Sequence, residues 1–140
     1  MDYNLDRFTD AQAQAYARAL SEIKAGRKTS HWMWFIFPQI KGLGQSDIAK
    51  NYSIKNLDEA AAYLNHPVLG KRLIEICNAL LKIDGKTANQ IFGNPDDLKL
   101  RSSMTLFANV KNADPIFDEV LNKYFNGQPD KLTLQILKNN

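Results

Sequence analysis

Seven consecutive residues, Lys99-Leu100-Arg101-Ser102-Ser103-Met104-Thr105, bring two cations and three hydroxyls within two turns of a helix. Serine and threonine are mediocre in helix interiors, so this density predicts a polar cluster lining a pocket. Lys99, Ser102 and Ser103 fall on one side, with Arg101 and Thr105, four apart, on another. A second group is His31 between Ser30 and Trp32, with Trp34 two residues on. A histidine with an ordinary pKa of about 6.5 can act as acid, base or donor near neutrality, and Trp32 or Trp34 can stack on a planar ring. The plainer alternative for His31 is a partly buried ring bonded to a backbone carbonyl. His66, before Pro67, reads as a capping or surface residue.

The third candidate is the stretch from Gln39 to Ser46. Gly42 and Gly44 permit positive φ angles, and Ser46 or Asp47 opens a helix, so free N–H groups and a positive dipole end could meet an anion. A plain tight turn is the alternative, and Asp47 opposes an anion there. If the chain is a catalyst, the fitting chemistry is hydrolysis, with Asp47 or Asp96 activating water and His31 assisting. Ligand-binding candidates are therefore Trp32, Trp34, Gln39, Gly42, Gly44, Ser46, Lys99, Arg101, Ser102 and Ser103.

Other constellations are missing. Two histidines and one cysteine make no zinc site, and no cofactor is called for. Gly42-Leu43-Gly44 begins like a dinucleotide fingerprint, but Asp47 stands at the third glycine position and no strand precedes it. A net charge of +3, from 18 basic and 15 acidic residues, is too mild for a nucleic-acid footprint; the densest cationic group is Lys24, Arg27 and Lys28. The longest apolar run, residues 32–37, is far below the roughly 20 residues that span a bilayer, and no leader pattern opens the chain. A cytoplasmic protein is expected. Cys77, alone among apolar neighbours, reads as a small buried hydrophobe. Oligomeric state is not legible.

These groups must be positioned by one domain, since 140 residues with 44% apolar and 24% charged composition fit a single core over residues 1–140. The spacing predicts a helix over 9–25, with a Thr9/Gln12 capping box, an inner face of Ala13, Tyr16, Ala17, Leu20 and Ile23, and Gly26 as its stop. Residues 32–37 are apolar on every side. With no second strand-like run to pair with, they read as a short buried helix capped by Ser30 and ended by Pro38. Helices are further predicted over 48–52, 57–64 (capping box Asn56/Glu59), 67–83, one turn after Thr87 (capping box Thr87/Gln90), 96–110 (capped by Asn94), 116–125 and from 130 onward. The fold class is all-α, an irregular array of about eight helices.

The blocks Ser30-His31-Trp32-Met33-Trp34-Phe35-Ile36-Phe37-Pro38-Gln39, Gly42-Leu43-Gly44, Tyr63 to Gly70, Ile91-Phe92-Gly93 and Asp96 to Phe107 closely resemble the bacterial domain-of-unknown-function family 1810. The resemblance spans nearly the whole chain and implies a single all-α domain without an established activity. Some members carry the label calpastatin, whose inhibitory segments are disordered repeats, unlike this capped globular chain. A fainter similarity links the chain to the NADAR group of helical N-glycosidases acting on ADP-ribose-type compounds. It rests on a His-Pro-x-Leu step and the segment Phe92-Gly93-Asn94-Pro95-Asp96, where that group tends to have tryptophan; no catalytic residue carries over. Two functions stay open: binding or hydrolysis of an anionic small molecule such as a nucleotide or ADP-ribose-like compound, and a non-enzymatic protein-interaction module without a ligand pocket.

Overall fold

A computed structural model describes residues 3–139. Among them the chain forms nine helices and no strand: α1 (Asp6–Lys24), α2 (Met33–Ile36), α3 (Asp47–Asn51), α4 (Leu57–Asn65), α5 (Leu69–Leu81), α6 (Ala88–Phe92), α7 (Asp96–Ala108), α8 (Ile116–Phe125) and α9 (Lys131–Lys138). The all-α expectation holds, and each of the nine helices falls on a segment the sequence predicts as helical. Helix α5 packs on α1, α4 and α8, and α7 packs on α4, α6, α8 and α9. The run 32–37 is the buried anchor its composition predicts: Trp32, Met33, Ile36 and Phe37 are buried, and Trp34 and Phe35 are half-buried. Trp32, Phe37 and Phe92 form a cluster with centroids 5.9–6.4 Å apart, in the tilted and edge-on geometries that ring quadrupoles favour.

Residues after Pro38 do find an extended partner, which the sequence did not suggest. Ile40 and Ile54 form a parallel bridge, with the Ile54 amide donating to the Gln39 carbonyl (2.8 Å) and the Lys41 amide to the Ile54 carbonyl (2.7 Å). Each strand-like piece is too short to be read from alternation.

Caps set the helix starts where a side chain faces the first turn. Ser46 Oγ accepts from the Ala49 amide, Asp130 caps α9 through the Thr133 amide, and Thr87 with Gln90 forms the predicted capping box of α6. His66 Nδ1 accepts from the Val68 and Leu69 amides, so it is a capping residue, and α5 begins after Pro67 rather than at it. Helix α7 ends at Ala108, two residues short of the expected bound, and Asn94 does not cap it.

The start of α1 differs for a definite reason. Thr9 lies inside the helix with its hydroxyl donating to the Asp6 carbonyl, and Gln12 is buried, donating to the Phe35 carbonyl (2.8 Å) and the Tyr63 hydroxyl (3.0 Å). A glutamine engaged across the core cannot reach back to close a capping box. The inner face is therefore Phe8, Gln12, Ala19 and Ile23, and Ala13 and Ala17 are exposed; alanine, tolerated on either face, is a weak marker of orientation. The Asn56 cap of α4 forms, but the Glu59 carboxylate accepts from Lys55 and pairs with Arg7 instead of closing its box.

Candidate functional site

Gly26, at φ +79°, ends α1 in a left-handed conformation that favours glycine. The chain then doubles back over the last turn of α1, and Glu22 organises the return. Its Oε1 accepts from the Thr29 amide (2.8 Å), the Ser30 amide (3.0 Å) and the Trp32 indole Nε1 (2.9 Å), and its Oε2 accepts from Ser30 Oγ (2.6 Å). Burial works against this charge. The bonds from Ser30, Thr29 and Trp32 outweigh it and lower the Glu22 pKa from 4.5 to about 2. Ser30 is thus a ligand of Glu22, not the cap of α2.

Lys28 takes the next step. Its amide donates to the Ile91 carbonyl (2.7 Å), fixing the segment to α6. Its ammonium donates to the Ser30 carbonyl (2.6 Å), pairs with Asp96 Oδ2 (2.8 Å) and sits 5.0 Å from the centroid of the Trp32 ring. Asp96, in the first turn of α7, also pairs through Oδ1 with Lys99 Nζ at 3.5 Å, and that ammonium lies 5.3 Å from the Trp34 ring. One network therefore runs Glu22, Trp32, Lys28, Asp96, Lys99, Trp34. It joins the tryptophan block to the start of the cation–hydroxyl helix, the meeting on which a common site depends.

Lys28 also forms part of the wall of a surface cleft of about 580 Å³ between the 27–28 turn and α6. Arg27, Lys86, Asn89, Gln90 and Phe92 are among the residues that line the rest, and no carboxylate does among the described residues. Lys86 Nζ donates to the Gly26 carbonyl (2.9 Å) and so ties the loop before α6 to the end of α1. Arg27 is exposed and enters no ion pair among the described residues.

The remaining candidates do not converge on this network. His31 is exposed and makes no hydrogen bond or ion pair among the described residues, which is not the carbonyl-bonded ring of the plainer reading. Asp47 is exposed on α3, and Ser46 is that helix's cap. The space beside Trp34, Gln39, Gly44 and Ala49 amounts to about 10 Å³, room for about one water molecule. The Gln39 carbonyl belongs to the bridge, a Cβ on Gly44 would stand 2.5 Å from the Ala49 Cβ, and Gly42 lies against Ile136. These glycines serve close packing. Arg101 donates to the Gln128 carbonyl (2.9 Å) and lies over the Phe125 ring, away from Lys99.

The hydroxyls of α7 are buried. Ser102 and Thr105 donate to the carbonyls of Leu98 and Arg101 one turn back, and Thr105 Oγ1 accepts from the Asp130 amide to dock α9. Ser103 Oγ finds no partner among the described residues. Their density reflects helix docking more than a ligand. Sequence reasoning missed Glu22, Lys28, Lys86 and Asn89; the one available signal was the cation pair after Gly26, which helix-end electrostatics explains equally well.

An all-helical domain in which a carboxylate, lysine and tryptophan network ties the turn after α1 to the start of α7 defines the class. The chain belongs to a family described as Protein of unknown function (DUF1810), whose model matches residues 2–137. Among solved structures it is similar to the conserved hypothetical protein Rv1873 from Mycobacterium tuberculosis, determined at 1.38 Å. The two share 48% identity and a TM-score of 0.95 over 97% of each chain. No curated protein matches the chain.

Proposed function

We propose that the chain binds a phosphorylated small molecule of nucleotide or ADP-ribose type in the cleft at Arg27, Lys28 and Lys86. The supporting observation is the charge of the wall: among the described residues three cations and no carboxylate line one cleft, Asp96 and Asp97 standing behind Lys28 and Asn89, in a chain with nearly as many acids as bases. Its volume lies within the roughly 300–1,000 Å³ of small-ligand pockets. Arg27 offers a planar fork to a phosphate, Lys86 a point charge, and Asn89 and Gln90 supply amides for sugar hydroxyls.

Hydrolysis is the finer part of the proposal. Of the three candidate catalytic residues, Asp96 is the one the network joins to the cleft wall. A ligand phosphate that draws Lys28 to itself frees Oδ2 of Asp96, which stays paired with Lys99 through Oδ1, to accept a proton from the water whose oxygen bonds to the scissile centre as the bond to the leaving group breaks. His31, in the segment that Glu22 holds, is the second available group, and Asp47 has no place in this version. Titration calorimetry with ADP and ADP-ribose is the test, followed by chromatography for cleavage products with wild type and Asp96→Asn. Saturable binding weakened at least tenfold in both Arg27→Ala and Lys86→Ala supports the reading; unchanged affinity in both overturns it. The second reading, an interaction module, draws on the engagement of Arg101 by Gln128 and Phe125. It is favoured if no nucleotide or phosphorylated metabolite raises the melting temperature.

A further inference from the structure

A larger groove, of about 760 Å³, lies on the other side of Lys86, between the end of α1 and the outer face of α5. Its floor is apolar and aliphatic, built from Ala25, Ile74, Ala79 and Ile83, and no aromatic side chain lines it. Four lysines, Lys24, Lys71, Lys82 and Lys86, stand around that floor against two acids, Glu75 and Asp84. Glu75 already accepts the Tyr16 hydroxyl. Three of the lysines gather where α1 and α5 both end, and Lys71 stands eleven residues back along α5, about 16 Å away at 1.5 Å per residue. Aliphatic floor and cationic rim, in an open groove of this volume, define a complement that is neither a nucleotide, for want of a stacking ring, nor a neutral lipid, for want of any use for the charge.

We infer that this groove is a second binding site, for a small amphiphilic anion: an unbranched aliphatic body on the floor and one carboxylate or phosphate head at Lys24, Lys82 and Lys86. The volume suits one such molecule, and burial of its aliphatic body supplies the main driving force, offset in part by the cost of ordering it. The site is separate from the nucleotide-type cleft, sharing only Lys86 with it, and it stands or falls independently.

The test is an amide-resolved NMR titration of the full chain with octanoate, octyl phosphate, 1-octanol and octyltrimethylammonium. Octanoate or octyl phosphate is expected to shift Ala25, Ile74, Ala79 and Ile83 saturably, with 1-octanol at least tenfold weaker and the cation without effect. Which anion binds more tightly distinguishes a carboxylate from a phosphate source. Asn78→Trp, an exposed position on the groove wall, is expected to block binding while leaving the melting temperature and the rest of the spectrum in place. Arg27→Ala is expected to bind as wild type. Equal binding of octanol, shifts confined to Arg27, Asn89 and Gln90, unimpaired binding in Asn78→Trp, or no saturation by either anion each overturns the inference.

Discussion

Replacing Glu22 by glutamine removes one negative charge while keeping the shape of the side chain. The amide oxygen can still accept from Thr29, Ser30 and Trp32, but the bond from Ser30 Oγ to Oε2 must reverse and all four lose their charge assistance. The depression of Glu22 from 4.5 to about 2 converts to at most about 3 kcal/mol of folding stability. The carboxylate stands at the solvent rim, where screening reduces this to about 1–2 kcal/mol. A group with a depressed pKa in the fold stabilises above its unfolded value, near 4.5, and loses that contribution as pH falls toward 2. For a domain of this size the difference is about 3–7 °C in melting temperature. Thermal melts of wild type and Glu22→Gln between pH 6 and pH 2 read it directly, since other carboxylates titrate alike in both and cancel. The expected record is a gap of that size at pH 6 that closes below pH 4.5. A gap that is absent at pH 6, or that persists unchanged to pH 2, refutes the assignment of Glu22 as the charged hub of the 28–32 turn.

Three further perturbations test other parts of the fold. Gly70→Ala places a Cβ 2.0 Å from the Leu64 carbonyl oxygen, backbone that cannot yield without parting α4 from α5, so a loss of about 3 kcal/mol or more is expected in urea unfolding. Arg7→Ala strands the buried Glu59 carboxylate, whose Oε2 lies 2.8 Å from the guanidinium, at an expected cost of about 3–5 kcal/mol. Arg7→Lys recovers little, because the same guanidinium also serves the carbonyls of Tyr3, Asn51 and Ser53. Burial, with the charge of Asp114 adding to it, pushes the Cys77 thiol well up. Its reaction with a chromogenic disulfide at pH 8 is expected to follow global unfolding and to accelerate with urea in step with the circular dichroism signal.

Much of this molecule could be read from single residues with local consequences. Caps such as Ser46, Thr87 and Asp130 act within four positions, so the helices they start were legible, as was the Ile116–Phe125 helix with its regular apolar spacing. Gln12 was misread because its partners, Phe35 and Tyr63, lie 23 and 51 residues away. The candidate site followed the same division. Trp32, Trp34, Asp96 and Lys99 stood out by type and are linked in the fold, but the side chain that joins them does so across a long separation: Lys28, beside Trp32, reaches Asp96. Nothing in the local pattern around Glu22 marks it as an acceptor of four bonds. Conversely, the hydroxyls of α7 looked like ligand chemistry because helix docking and pocket lining draw on the same residue types.

The parallel bridge at Ile40 and Ile54 has a bearing on how the chain can be altered. Both isoleucines are buried, at 1% and 0% exposure, and their backbone bonds bring the chain back at residue 54 beside the point it left at residue 41. The excursion between is held at its base by that clasp, while α3 at its tip buries no residue. A cut or an inserted segment at Gln45 leaves the clasp at the base of the excursion intact, and each doubling of a flexible loop adds only about 0.6 kcal/mol of closure entropy. The tip of this excursion is therefore the natural port for a protease site, a fluorophore or a tether.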